Sequence, residues 1–146
     1  MALPNGKILK DDKEITAVLS EAQTIAVLGL SPKPARDSHQ VAKYLQKNGF
    51  RIIPVRPAQA AILGEKAYKS LNDIGDSVDI VDVFRHPNQV MQHAQEALHL
   101  KPTTFWMQKG IEHYDAALML TAAGINVVMN RCIKVEYERL IKTANL

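Results

Sequence analysis

A turn rich in positive charge follows the first apolar run of the chain. The sequence from Gly29 to Ser38 (GLSPKPARDS) leads directly into a segment with helical spacing of apolar residues. A helix N-terminus at this place offers unpaired backbone N–H groups and a positive dipole end, and Lys33 and Arg36 add mobile positive charge. This combination suits a pyrophosphate, although only Gly29 remains of the three glycines of the G-x-G-x-x-G fingerprint. The alternative is an ordinary strand-to-helix loop with solvated charges.

A second cation follows the second apolar run, in the tripeptide Val55-Arg56-Pro57. An NAD-binding unit has an acidic side chain here, against the ribose 2′-hydroxyl. Arginine at this position argues against NAD and fits a ligand with an additional phosphate on the adenosine ribose, which means NADP or coenzyme A. A solvated loop arginine is the competing interpretation.

Arg85 stands at the end of the third apolar run, just before His86-Pro87 opens the next helical segment. From the carboxyl end of a strand, its guanidinium can reach a phosphate or carboxylate with bidentate geometry. Asp82 lies inside the same run. An acid within a strand is more often a structural group than a catalytic base, and we expect a structural role for it.

Large apolar side chains precede a glycine at the end of the fourth run. Trp106 and Met107, with Gly110 permitting close backbone approach, could line a slot for adenine or pantetheine. Trp106 could equally belong to the core.

The fifth run ends at Met129 and passes through Asn130 and Arg131 to Cys132. A helix N-terminus beside Arg131 favours a reactive thiol at Cys132, which could then act as a nucleophile or pair with a ligand thiol. A buried, inert cysteine is the more common outcome. Asn130 is the expected cap of the helix that follows.

Motifs for catalysis are missing from the sequence. There is no G-x-S-x-G elbow, no Walker lysine and no acid pair, and the histidine spacing matches no metal site. One cysteine in 146 residues excludes an intrachain disulfide and a multi-thiolate metal site, which favours a reducing, cytoplasmic location. A net charge of +3 is too small for a non-specific nucleic-acid binder, and no apolar run is long enough to cross a membrane.

Five apolar runs read as buried strands, because most are rich in valine and isoleucine without strict alternation. They are Thr24 to Leu30, Phe50 to Val55, Val78 to Phe84, Thr103 to Gln108 and Ile125 to Met129. Helical segments alternate with them, which predicts an α/β fold: a single Rossmann-like, doubly wound domain over residues 1–146 with a five-stranded parallel sheet.

The helices carry their own boundary signals. Asp37 or Ser38 is expected to cap the helix that ends at Gly49. Further helices are predicted after His86-Pro87, over Glu112 to Ala123 and over Cys132 to Lys142. Residues 1–20 form an N-terminal extension whose helix, over residues 11–20, is expected on the sheet edge. Residues 56–72 are predicted to be mostly loop, with a helical turn near Ser70.

These features together resemble the small stand-alone CoA-binding proteins, whose domain is similar to the CoA-binding domain of the succinyl-CoA synthetase α subunit. The resemblance covers roughly Thr24 to Leu140. It rests on the following segments: Val27 to Pro34 with Arg36 and Ser38, Ile53 to Val55 with Pro57, Val81 to Arg85, Trp106 to Gln108 with Gly110, and Met129 to Cys132. The chain departs from the family at Arg56, where asparagine is common, and at Asn130, where aspartate is common. We expect the extra charge of Arg56 to strengthen phosphate binding.

The resemblance implies CoA held across the carboxyl edge of the sheet, with the Gly29 to Ser38 loop on the pyrophosphate. The expected cofactor-binding residues are Gly29, Ser31, Pro32, Lys33, Arg36, Ser38, Val55, Arg56, Pro57, Phe84, Arg85, Trp106, Met107, Gly110, Asn130 and Cys132. Nothing in the sequence corresponds to the phosphohistidine or nucleotide-grasp parts of the synthetase, so its ligase reaction is not implied.

The leading interpretation is a protein that binds CoA or acyl-CoA without catalytic machinery of its own. A protein partner or a homodimer is a further possibility. A small NADP-binding oxidoreductase or regulator is the alternative. An interaction protein with a vestigial pocket is a third. A mixed disulfide between Cys132 and the CoA thiol would extend the first.

Overall fold

The computed structural model describes residues 6–143. Within this part of the chain, five parallel strands form one sheet: β1 (Thr24–Leu28), β2 (Arg51–Val55), β5 (Ile80–Val83), β6 (Thr104–Met107) and β7 (Asn126–Val128). A separate two-stranded hairpin consists of β3 (Ala61–Ile62) and β4 (Glu65–Lys66). The α/β fold with a five-stranded parallel sheet is therefore confirmed.

Helices cover both faces of the sheet. They are α1 (Asp12–Glu21), α2 (Asp37–Lys47), α3 (Val90–Leu100), α4 (Tyr114–Ala122) and α5 (Ile133–Tyr137), which continues as a π-helical segment over Glu138–Lys142. One apolar cluster joins α1, α2 and α5 to one face, and a second joins α3 and α4 to the other. Burial on two faces explains why the strands are almost continuously apolar.

The five strands are parallel and lie in the order β2-β1-β5-β6-β7. The direction in which the chain adds strands to the sheet reverses between β1 and β5. The chain leaves β1 through α2 toward β2, and it leaves β5 through α3 toward β6. The two outgoing loops therefore diverge at the carboxyl ends of adjacent strands. Such a switch point opens a crevice where ligands bind in doubly wound sheets.

The N-terminal extension packs differently from the prediction. The side chains of Ile15 and Leu19 of α1 are buried in the cluster that covers a face of the sheet, so the expected position of this helix at the sheet edge is wrong. The segment before it occupies the edge instead, where Leu9 N donates to Val127 O at 2.7 Å. Residues 1–5 of the predicted extension lie outside the described residues.

Two helix caps also differ from the prediction. The N-cap of α2 is Arg36 rather than Asp37 or Ser38, because the Ser38 hydroxyl is engaged by the preceding loop. The N-cap of α5 is Cys132 rather than Asn130. Asn130 adopts a left-handed φ of 59°, and its Oδ1 accepts from Gly110 N at 2.6 Å.

The loop predicted over residues 56–72 contains the β3–β4 hairpin, which is too short to leave a periodic pattern in the sequence. The helical turn expected near Ser70 is a 3₁₀ turn over Leu71–Asp73. In the described residues, no helix combines the length and the apolarity needed to cross a membrane.

Candidate functional site

A cleft of about 1040 Å³ opens at the switch point between β1 and β5. It lies between the loop that follows β1, the first turn of α2, and the residues that follow β2, β5 and β6. Among its described lining residues, six carry positive charge and one carries negative charge, as follows: Lys33, Arg36, Arg56, Arg85, Lys109 and Lys134, against Asp37. This excess of cations makes the cleft suited to a polyanionic ligand.

Gly29 allows the backbone after β1 to pack closely against the backbone after β5 at the base of the cleft. Its φ is +78°, and a Cβ at this position would lie 2.3 Å from the carbonyl oxygen of Phe84. Gly29 N also donates to Val55 O at 2.9 Å, while Phe84 N donates to Leu28 O at 2.9 Å. Backbone hydrogen bonds at Leu28 and Gly29 thus hold the ends of β1, β2 and β5 together, and β1 ends two residues earlier than predicted.

We expect Gly29→Ala to lower the free energy of unfolding by about 1–3 kcal/mol, through left-handed strain and the collision with Phe84 O. Gly64→Ala is the matched control, because Gly64 has a φ of +76° but open space around its Cβ position. Chemical denaturation measures both variants. Equal losses would show that the close approach to Phe84 contributes nothing.

The loop after β1 is held by two serines and a histidine. Ser31 N donates to Ser38 Oγ at 3.0 Å, and Lys33 N donates to Ser31 Oγ at 3.1 Å. The buried His39 ring donates from Nδ1 to Ser31 O at 2.8 Å, since a carbonyl oxygen only accepts. The side chain of the N-cap Arg36 makes no capping hydrogen bond, which leaves the first-turn N–H groups of α2 to a ligand.

Two guanidinium groups, those of Arg56 and Arg85, line the cleft close enough for their charges to interact. The Nε atom of Arg85 is buried and has no hydrogen-bond partner among the described residues. Burial lowers the pKa of Arg85, the nearby charge of Arg56 lowers it further, and Glu96 acts in the opposite direction. Arg56 Nη1 donates to Gly29 O at 3.4 Å. Repulsion between the two cations and the unpaired Nε donor are both relieved when an anion binds between them.

A buried acid lies beneath the same cleft. Asp82 is fully buried on β5, in register with Val27 of β1 and Trp106 of β6. Its Oδ1 accepts from Gln108 Nε2 at 2.5 Å, while its Oδ2 has no partner in the described chain. Burial raises the pKa of Asp82 to about 7, and the hydrogen bond from Gln108 opposes this rise.

The structure brings together ten of the sixteen residues predicted for the site. The ten that line the cleft are Gly29, Ser31, Pro32, Lys33, Arg36, Ser38, Arg56, Phe84, Arg85 and Cys132. The six that do not line it are Val55, Pro57, Trp106, Met107, Gly110 and Asn130.

Trp106, Met107 and Val55 are core residues rather than cleft residues. Trp106 and Met107 are fully buried and belong to the clusters on opposite faces of the sheet, and Val55 is 2% exposed. The indole N–H of Trp106 donates to Arg131 O at 2.8 Å, which fixes the start of α5 against β6. The predicted slot formed by Trp106 and Met107 is therefore wrong, because strand side chains before the carboxyl end point into the two faces.

Several lining residues were missed by the sequence reasoning. They are Asp37, Gln40, Val41, Gln59, His86, Gln108, Lys109, Ile111 and Lys134. Gln108 and Lys109 directly follow β6 and were identifiable by the rule applied to Arg85. Gln59 had no signal, because it belongs to the irregular segment before the hairpin.

Comparison with known proteins identifies relatives in sequence and a solved structure of similar fold. The protein YneT from Bacillus subtilis is 43% identical to this chain over 124 residues, which covers 85% of this chain and 92% of YneT. A solved structure, "cell-free ID.343 from Thermus thermophilus", is 46% identical with a TM-score of 0.86, covering 90% of this chain and all of that one. The ADP-forming acetate–CoA ligase of Methanocaldococcus jannaschii is 26% identical over 128 residues, covering 88% of this chain but only 16% of the ligase.

The fold and the cleft define a Rossmann-like α/β domain with a cationic crevice at its switch point. Its family is described as the CoA binding domain, and the match covers residues 23–138. The chain belongs to this CoA binding domain family, and the expected resemblance is confirmed.

Proposed function

We propose that the protein binds CoA or acyl-CoA in the switch-point cleft and performs no covalent chemistry there itself. The unpaired, buried Nε of Arg85 beside a second guanidinium is the observation that carries this proposal. A cation held in this way is stabilised by a phosphate that accepts its hydrogen bonds. The family supports CoA as the source of that phosphate.

The cleft suggests how the cofactor lies. The first turn of α2 and the loop before it offer N–H groups to the pyrophosphate. Arg56 follows β2, where doubly wound domains contact the adenosine ribose, so it suits the additional ribose phosphate of CoA. This arrangement leaves the side of the cleft formed by Gln108 and Lys109 for the pantetheine arm.

A binding role is supported by the cationic groups that face the cleft. Within the described residues, no cluster of three or more histidine, cysteine, aspartate or glutamate side chains is arranged to hold a metal ion. Cys132 lines the cleft, and within residues 6–143 its hydrogen bonding involves only its backbone. The arrangement fits delivery, sensing or storage of the cofactor.

Calorimetry of the protein with CoA, acetyl-CoA, NADP and NAD tests the proposal. We expect CoA and acetyl-CoA to bind at least tenfold more tightly than NADP, and NAD to bind most weakly, because NAD lacks the extra phosphate. Absence of CoA binding at millimolar concentration would overturn the proposal. Tighter binding of NADP than of CoA would favour a nicotinamide-dependent function instead.

A further inference from the structure

The buried pair of Asp82 and Gln108 is the polar feature of the cleft that phosphate binding does not explain. Gln108 is 4% exposed, lines the cleft, and donates from Nε2 to Asp82 Oδ1 at 2.5 Å. Its Oε1 atom accepts no hydrogen bond from the described residues. A fully buried carboxylic acid is costly in an apolar core, so a protein that keeps one there retains it against a stability cost.

The protonation state of Asp82 determines which end of the Gln108 amide faces the ligand. A carboxylate only accepts, so Nε2 must point to Asp82 and Oε1 must remain on the cleft side. A protonated Asp82 is both a donor and an acceptor, and the amide of Gln108 is then free to turn over. The carboxylate form therefore holds an acceptor toward the cleft, and the neutral form does not.

We propose that Asp82 is a positioning residue, which directs Gln108 Oε1 toward the cleft as the acceptor for an N–H or O–H group of the bound cofactor. The inference rests on the proposed function. CoA carries such donors in its pantetheine arm, as two amide N–H groups and a hydroxyl, and this is the part that the proposed arrangement leaves for the side of the cleft formed by Gln108.

Few other titratable groups face Asp82 from the elements packed against it. The neighbouring strand β1 contributes only apolar side chains beyond Thr24. On the helices that cover the Asp82 face of the sheet, α1, α2 and α5, the buried titratable side chains are His39 and Glu136, and Cys132 is partly buried. The charged groups at the neighbouring strand ends are Arg85 after β5 and Lys109 after β6. Glu136 is paired with Arg139 at 2.6 Å, and His39 is bonded to Ser31, so both already have partners.

The test compares CoA affinity of the wild type and Asp82→Asn at pH 5.5 and pH 8.5. The asparagine can accept from or donate to Gln108, as the neutral acid does. We expect the wild type to bind CoA about 3- to 10-fold more tightly than the variant at pH 8.5, with the two nearly equal at pH 5.5. Using the ratio of affinities removes the titration of the CoA phosphates, which is the same in both experiments.

A double-mutant cycle with Gln108→Met checks that Asp82 acts through Gln108. The double variant should bind CoA no more weakly than Gln108→Met alone. A pH-independent ratio, or additive losses in the cycle, would overturn the inference while leaving CoA binding intact. If Asp82→Asn does not fold, the ratio of wild type to Gln108→Met must still rise from pH 5.5 to pH 8.5. Failure of the wild type to bind CoA would instead refute the proposed function.

Discussion

Arg85→Ala is expected to weaken CoA binding by about 10- to 100-fold, the value of a hydrogen bond to a charged group in a partly buried site. The same variant should unfold with an unchanged or higher free energy of unfolding. In the wild type, the buried Nε of Arg85 has no hydrogen-bond partner among residues 6–143, and a second cation, Arg56, lies nearby. Removing the Arg85 side chain therefore relieves the unpaired donor and the repulsion in the ligand-free protein. In the CoA-bound protein, the same change removes the main contact to phosphate.

Arg51→Ala is the matched control for this experiment. Arg51 lies at the amino end of β2, away from the cleft, and pairs with Asp76 at 2.7 Å. The substitution removes the same side chain and the same charge, so a general effect of net charge on a polyanion would appear in both variants. Arg85→Lys should give an intermediate loss, because lysine keeps the charge but not the planar fork of donors.

Calorimetry gives the affinities, and thermal unfolding without ligand gives the stabilities. A drop in affinity accompanied by a similar drop in stability would contradict the interpretation, since it would mean that Arg85 supports the fold. Equal losses of affinity in Arg85→Ala and Arg51→Ala would show that the protein attracts CoA by charge alone.

The location of the cleft was predictable from the sequence because it depends on topology. Buried strands that alternate with helices imply a doubly wound sheet, and the residues that follow each strand then meet at one edge. Lys33, Arg56 and Arg85 were assigned to the site by this rule, and all three line the cleft.

The errors came from features that a local pattern does not encode. Trp106 was assigned to the site because it lies near a strand end, but the strand continues to Met107, and a side chain within a strand points into a face. The capping role expected for Ser38 failed because a tertiary partner, Ser31 N, takes its hydroxyl. Both outcomes depend on where neighbouring elements lie, which spacing along one segment cannot specify.

The sequence predicted the role of Asp82 only in part. The sequence predicted a structural acid, and the structure places it in the core with one hydrogen bond, from Gln108. The unpaired Oδ2 and the raised pKa could not be predicted, because they depend on the apolar side chains that surround it in the folded state.

The free energy of unfolding is expected to depend on pH through the ionisation of Asp82. Burial raises the pKa of its carboxyl from 3.8 to about 7 in the folded state. The folded protein therefore holds this proton between about pH 4 and pH 7, where the unfolded chain has lost it. The contribution of the group is most favourable below pH 4, and it is lost as the pH rises through 7. The full loss is about 4 kcal/mol, from three pKa units at 1.36 kcal/mol each.

Asp82→Asn removes this titration and keeps an acceptor for Gln108. We expect the variant and the wild type to have similar free energies of unfolding near pH 4, and the variant to be more stable by about 4 kcal/mol at pH 8. Denaturant titrations at four pH values measure the difference, in which the titrations of all other groups cancel. Asp115→Asn, the same change at an exposed position on α4, should show no such trend. A difference between Asp82→Asn and the wild type that stays constant from pH 4 to pH 8 would mean that the buried carboxyl does not titrate in this range. In that case Asp82 could not control the orientation of Gln108 through its ionisation.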